Sequence, residues 1–359
     1  MDFIIPCNII YLSKCVISNH FPMKSIIFSL YVQMCTIVQI GYERTKISIT
    51  ESLRDLSSIK GVKVHLLLHW PRCNDAIQWM NCEEEEERLP QYVKDAGPPP
   101  HLNADSWKES WRAMEELYTA NDMIESIGIS NFEIDDMRAL LQESQIKPQL
   151  YQGNVWKVIF DPHLMDLLKN NAIVFQAYGI MSGIVMRSTN APNAFSVLGQ
   201  VGRELMDSDP KYEYVRITEA MVVEAWLVQS GIGIIPRSTR HQQENSPSII
   251  GSIPMLSSKM KDQVWKAVSS LMKGQDLEIL VTFHNNRSSG GPVNVHWYNH
   301  RTGDEIQVIE KIENGDSFTI GSHPQHRFVV YDETKTERKE YVVNEFYGGH
   351  EKFSVGDEL

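Results

Sequence analysis

Five short polar clusters carry the groups in this 359-residue sequence that could do chemistry, and each follows directly on an apolar run. They are His69-Trp70-Pro71, Ser130-Asn131-Phe132, Gln152, Tyr178-Gly179 and Arg237-Ser238-Thr239. An imidazole, hydroxyls, amides, a phenol and a guanidinium together supply hydrogen-bond donors and acceptors, a flat ring and a fixed positive charge. Any one of them at a strand end is most often a satisfied structural residue. In a βα barrel, however, chemistry gathers where strands run into the following helices, so the ordered series reads as one site.

The elements that must hold this series are visible as a rhythm. From about residue 45 to 274, short runs rich in Val, Ile and Leu alternate with longer amphipathic stretches, the pattern of repeated βα units around a parallel sheet. Strands are predicted at 62–68, 124–129, 148–151, 172–177 and 231–236, and helices at 110–118, 133–143, 162–170 and 218–229. The connection 72–105 holds the glutamate run 83–87 and the proline run 98–100, and reads as a surface loop with a solvated acidic face. After Gly274 the period changes to two. Strands are predicted at 277–283, 293–298, 305–312, 318–322, 327–331 and 340–343, punctuated by Gly290-Gly291, Thr302-Gly303-Asp304 and Asn314-Gly315-Asp316, which together make a small antiparallel β-sandwich.

Composition narrows the function. A net charge of -12 without a basic cluster repels phosphate backbones, so nucleic acid is excluded as a partner in favour of a small molecule or a peptide. Cys7, Cys15, Cys35, Cys73 and Cys82 form no CxxC pair and are odd in number, which predicts unpaired thiols in a reducing, cytoplasmic compartment. The closing GDEL is one residue from a retrieval signal but lacks a secretory leader, and the uncharged stretch 25–42 is diluted by Ser, Gln, Thr and Gly, so a membrane anchor is not expected. No metal set is expected.

The segments LLLHWP, IESIGISNF, KPQLYQ, AYG and AWLVQSGIGIIPRSTR, in that order, resemble the aldo-keto reductases over about residues 41–274. The resemblance implies an α/β fold, an incomplete (β/α)8 TIM-type barrel. It further implies reduction of an aldehyde or ketone by NADP, preferred over NAD. Tyr178 would stack on the nicotinamide, with Ser130, Asn131 and Gln152 bonding its carboxamide. Arg237 and Ser238 would meet the 2′-phosphate, with Thr239 beside them in the cofactor site, Arg240 and Asn245 the adenosine, and His69 would orient the substrate carbonyl. The proton in this family comes from a tyrosine set with a lysine and an aspartate ahead of Gly41. Residues 1–40 match no family segment. No Asp is followed five residues later by Tyr there, and Met34 to Ile40 contains no lysine. The site is therefore expected to hold its cofactor half without its proton-delivery half.

Residues 277–359 resemble the β domain of the von Hippel-Lindau tumour suppressor through Val281 to Asn285, Trp297, Gly303-Asp304-Glu305, Gly315 and Ser322 to Phe328. That resemblance implies a peptide partner bearing hydroxyproline, held by Trp297, Ser322, His326 and Phe328, with Val308 or Ile309 where the family has a tyrosine. The alternative function is thus a catalytically inactive peptide-binding protein.

Overall fold

A computed structural model describes residues 10–11, 29–34 and 40–359, apart from 60, 62, 75–76, 78–79, 209–215, 236–249, 289, 346 and 358. The described residues fall into two compact units, one drawn from Met1–Ile180 and Glu224–Ile253, the other from Met181–Val223 and Pro254–Leu359.

The first unit is built on one sheet of seven strands whose spatial order is their sequence order: β1 (Ile10–Tyr11), β2 (Ser29–Met34), β3 (Lys63–Leu68), β4 (Ile124–Ser130), β5 (Leu150–Asn154), β6 (Val174–Tyr178) and β7 (Gly233–Ile234). Strand β1 is antiparallel to β2, and every later neighbour pair is parallel. Parallel pairing requires a crossover between strands. The crossovers contain α1 (Tyr42–Leu56), α2 (Cys82–Arg88), α3 (Gln91–Lys94), α4 (Ser106–Ala120), α5 (Ile134–Glu143), α6 (Val155–Ile159) and α7 (Pro162–Asn170). Leu66, Leu67 and Leu68 are all buried, the mark of a strand covered on both faces. The five predicted strands are found within about three residues of their expected bounds, and the helices at 133–143 and 162–170 within about one. Helix α7 starts where Asp161 accepts bonds from the backbone N–H groups of His163 and Leu164, with Pro162 in its first turn.

Helix α1 lies ahead of the first strand read from the sequence and packs on α4 through small residues. Ser110 Oγ accepts from Thr45 Oγ1 at 2.9 Å and from Gly41 N at 2.8 Å. The same helix explains why the connection 72–105 is not an irregular loop, although Glu83, Glu84 and Glu87 are exposed as expected. Arg44, 1% exposed, sends its guanidinium to both carboxylate oxygens of Glu86, at 2.7 and 3.0 Å, and to the carbonyls of Lys94 and Gly97. The glutamate run forms α2, begun by Asn81 accepting from Glu84 N, with three acids in the favourable first turn. A buried guanidinium recruits one of the five glutamates, a tertiary demand that spacing alone does not announce.

The cysteine expectation is also corrected. Cys73 and Cys82 form a disulfide, their Cα atoms 6.3 Å apart, because the chain reverses after Pro71 and returns at the first residue of α2. Cys7, Cys15 and Cys35 lie outside the described residues, as does half of 25–42. No helix among the described residues is long and apolar enough to cross a membrane.

In the second unit, α9 (Pro192–Ser208) packs on α11 (Ser258–Lys273). Helix α8 (Ile180–Arg187), which begins in the first unit, precedes α9, and α10 (Glu219–Gln229), which ends in the first unit, lies between α9 and α11 in the chain. Two sheets then share a core: β10 (Glu305–Ile312), β9 (Val293–Tyr298), β12 (Arg327–Asp332) and β13 (Arg338–Val342) in one, and β11 (Ser317–Ser322), β8 (Ile279–Asn285) and β14 (His350–Val355) in the other. Val281, Phe283, Val295, Phe328 and Val330 meet between them. The sheets are not wholly antiparallel as expected, since β14 pairs parallel to β8. Strand β14 escapes the sequence reading because its alternation (His, Glu, Lys, Phe, Ser, Val) is mostly polar, and only Val355 is fully buried.

Replacing Arg44 by Ala should lower the free energy of unfolding by about 3–5 kcal/mol, since a broken buried ion pair strands Glu86 and two carbonyls. Urea unfolding measures it, and a loss near zero would show that α2 does not depend on this pair.

Candidate active site

Parallel register brings the sequence-predicted residues to one end of the sheet. Leu68 pairs with Ile129, Ser130 with Gln152, Gln152 with Gln176, and Asn154 with Tyr178, so the C-terminal ends of β3, β4, β5 and β6 lie side by side. Close approach of β4 and β5 depends on Gly128, where a Cβ would stand 2.4 Å from the Leu150 carbonyl oxygen.

Asn131 connects these ends. Its backbone is left-handed, φ 61°, a conformation that Asn tolerates better than other residues bearing a side chain. From there Nδ2 donates to the carbonyl oxygen of His69 at 3.0 Å and to Ser130 Oγ at 3.1 Å, while Oδ1 accepts from the Tyr178 hydroxyl at 2.6 Å. Its own N–H donates to the Gln152 carbonyl at 3.2 Å. Ser130 and Gln152 are buried, whereas His69 and Tyr178 keep part of their surface open.

Burial sets the protonation states. His69 is pushed down to about 4 by desolvation, so at neutral pH its ring is uncharged and one nitrogen carries a proton it can donate. The same cause raises the Tyr178 phenol, which stays protonated and holds its bond to Asn131. Hydroxyl, amides, neutral imidazole and phenol ring can grip a flat polar heterocycle and polarise a neighbouring carbonyl, and they bring no strong base.

Two buried polar residues bonded to this region were not singled out from the sequence. Gln176, 1% exposed, accepts a bond from Gln152 Nε2 at 2.9 Å and so fixes which end of that amide faces where. Tyr151 donates to the Phe132 carbonyl at 2.9 Å, and burial is the main cause that raises its phenol. A glutamine inside the apolar run 172–177 was the available signal for the first. Arg237, Ser238, Thr239, Arg240 and Asn245 lie outside the described residues.

In the second unit, Trp297 on β9 pairs directly with Phe328 on β12. Phe328 is 2% exposed and packs edge-on to Phe283 in the sandwich core, centroids 5.3 Å apart. Ser322 Oγ lies 3.2 Å from His326 Nδ1, and the His326 ring stands 5.4 Å from that of Trp297. His323, bonded to the Tyr347 hydroxyl at 3.2 Å, adjoins His326. Val308 is exposed and Ile309 is in the core.

"Aldose reductase B" of Dictyostelium discoideum is 27% identical over 208 residues, covering 57% of this chain and 58% of that protein. "Glyoxal reductase" of Bacillus subtilis is 28% identical over 140 residues, 39% of this chain and 44% of that one. The chain thus spans about half the length of these relatives. Among solved structures, MGS-M4, an aldo-keto reductase enzyme from a deep-sea metagenome library, aligns with a TM-score of 0.45 at 18% identity, covering 66% of this chain and 70% of that one. The sequence model of the Aldo/keto reductase family matches residues 31–243, starting inside β2, ahead of the segment in which the resemblance was read. That span holds every strand of the sheet from β2 to β7 together with the strand-end cluster, and the chain belongs to the aldo/keto reductase family.

Proposed function

We propose that the first unit binds NADP and presents it to a small aldehyde or ketone, as an oxidoreductase of aldo-keto reductase type. The observation that carries this reading is the cluster of His69, Ser130, Gln152 and Tyr178 at four consecutive strand ends, joined through Asn131. Support comes also from the relatives' names, which include an "NADPH-dependent alpha-keto amide reductase" of Saccharomyces cerevisiae, 26% identical over 151 residues.

When bound, the reduced cofactor supplies a hydride to the carbonyl carbon. The chain's own residues do the rest. Tyr178 offers its ring face to the nicotinamide, and Ser130 and Gln152 hold the carboxamide so that one ring face meets the substrate. His69, neutral through burial, donates to the carbonyl oxygen as negative charge gathers there. Arg237, Ser238 and Thr239 grip the 2′-phosphate, where a guanidinium fork suits a phosphate better than a hydroxyl does, and Arg240 and Asn245 meet the adenosine. Binding comes first as the property to measure, since loss of a general acid typically costs about two to four orders of magnitude in rate.

Wild-type protein should quench NADPH fluorescence on titration and Tyr178→Ala should weaken binding by roughly tenfold or more, the equivalent of about 1.4 kcal/mol. A wild type that neither quenches NADPH nor turns over aldehydes would remove the enzyme reading.

The His69 environment gives a second expectation. The unfolded chain protonates this residue near its ordinary value of 6.5, whereas the folded protein resists down to about 4. Stability from the neutral ring is therefore complete above pH 6.5 and is lost as the pH falls from 6.5 towards 4. Urea midpoints for His69→Gln across that window should fall less steeply than wild type; parallel slopes would mean that the ring is not desolvated.

A second reading concerns the other unit. Ser322 and His326, in hydrogen-bond contact beside the half-buried Trp297 ring, favour recognition of a peptide, with a hydroxyproline hydroxyl as the group bound. Phe328 then serves as the wall behind the site and not as its rim. A hydroxyproline peptide should bind in fluorescence polarisation and His326→Ala should abolish it; equal affinity for both proteins would discard the peptide site.

A further inference from the structure

The two ends of the Cys73–Cys82 bond are unlike. Cys82 is 3% exposed, whereas Cys73 keeps part of its surface open. Cys82 is the first residue of α2, which the buried Arg44 holds through Glu86. Cys73 stands four positions after His69 and follows Arg72, whose half-exposed side chain reaches Asp136. One sulfur thus belongs to a residue that solvent can reach, on the segment leaving β3, and the other to an enclosed residue anchored elsewhere. The first unit buries its sheet on both faces and has no need of a covalent staple to make up for a small core. A reachable cysteine paired with a sheltered one is the arrangement of an exchange site and its resolving thiol.

We propose that Cys73 is a site of thiol–disulfide exchange with Cys82 as its resolving partner, making the bond a redox-sensitive tie on the segment that follows His69. The co-reactant is a small thiol of the glutathione class. Its thiolate attacks the Cys73 sulfur, the bond to Cys82 breaks, and Cys82 leaves as a thiolate that takes up a proton. A second small thiol attacks the mixed disulfide and releases Cys73, so the two cysteines gain two electrons and the small thiols end as their own disulfide. Oxidation runs backwards: the Cys73 thiolate opens the small disulfide, one thiol leaves, and Cys82 displaces the other. Contacts inside the loop keep the cysteines near each other for that last step. The Asn74 N–H lies 3.0 Å from the Met80 sulfur, and the N–H groups of Ile77 and Met80 donate to the carbonyls of Asn74 and Ile77. Closing a loop of nine positions also demands little chain entropy. The open form loses a tie behind His69, while Ser130, Gln152 and Tyr178 sit on other strands. The effect on carbonyl turnover rests on the reductase reading, but the exchange itself does not.

Peptide mapping by mass spectrometry after alkylation tests the exchange on folded wild type, Cys73→Ser and Cys82→Ser. Wild type should lose the bond in excess reduced glutathione and regain it in glutathione disulfide. In glutathione disulfide Cys82→Ser, without its resolving thiol, should accumulate an adduct on Cys73, and Cys73→Ser should leave Cys82 unmodified until urea unfolds it. A bond that survives reduced glutathione in the folded protein, or an adduct that forms on Cys82 as readily as on Cys73, overturns the proposal. Opening the bond should leave NADPH quenching unchanged and lower aldehyde turnover about tenfold, the equivalent of about 1.4 kcal/mol. Equal turnover in both redox states discards the tie on His69. Should neither form turn over an aldehyde, the reductase reading fails on its own account and hydrogen exchange of the peptide containing His69 decides. Faster exchange in the reduced protein, with β4 to β6 unchanged, upholds the tie, and equal exchange discards it.

Discussion

Everything in the first unit depends on the parallel register of β3 to β6. Parallel pairing aligns strand ends instead of staggering them, so residues far apart in the chain, from His69 to Tyr178, come to share one rim. Register also fixes which side chains enter the core, because a slip by one residue would exchange the two faces of a strand. Gly128 sets the tolerance: with the Leu150 carbonyl so close, β4 and β5 have one way to approach.

The rim is stiffened from two sides. Within it, buried amides and hydroxyls satisfy one another, which is how polar groups persist inside a protein without a large penalty. Behind the end of β3, the chain is tied by the Cys73–Cys82 bond, by Arg72 to Asp136 and, through α2, by Glu86 to the buried Arg44. His69 is thus carried by a backbone held close behind it.

Much of this was legible in the sequence. The runs ending at His69, Ser130-Asn131, Gln152 and Tyr178 are strands, and their polar terminal residues are neighbours, because period and composition report burial directly. What escaped was decided by contacts between distant segments. Glu86 looks as solvated as the rest of its run until Arg44 is brought over it, two cysteines nine residues apart look unrelated until the chain turns, and β14 shows one buried residue in a polar frame. Asn131 was found, but the bonds that tie it to His69, Ser130 and Tyr178 are visible only in the geometry.

Helix α2 concentrates like charge on a short element, Glu83 to Glu87, while a single one of these carboxylates is neutralised by the buried Arg44. Repulsion among the exposed members is felt through water, where counterions screen it over about 8 Å at physiological ionic strength, whereas the buried pair is shielded little. Ionic composition therefore acts unevenly here. Adding salt screens the repulsion among the exposed carboxylates, and the exposed Arg88–Glu84 pair with it, faster than it weakens the grip on Arg44, in a protein whose overall charge of -12 gathers cations to its surface.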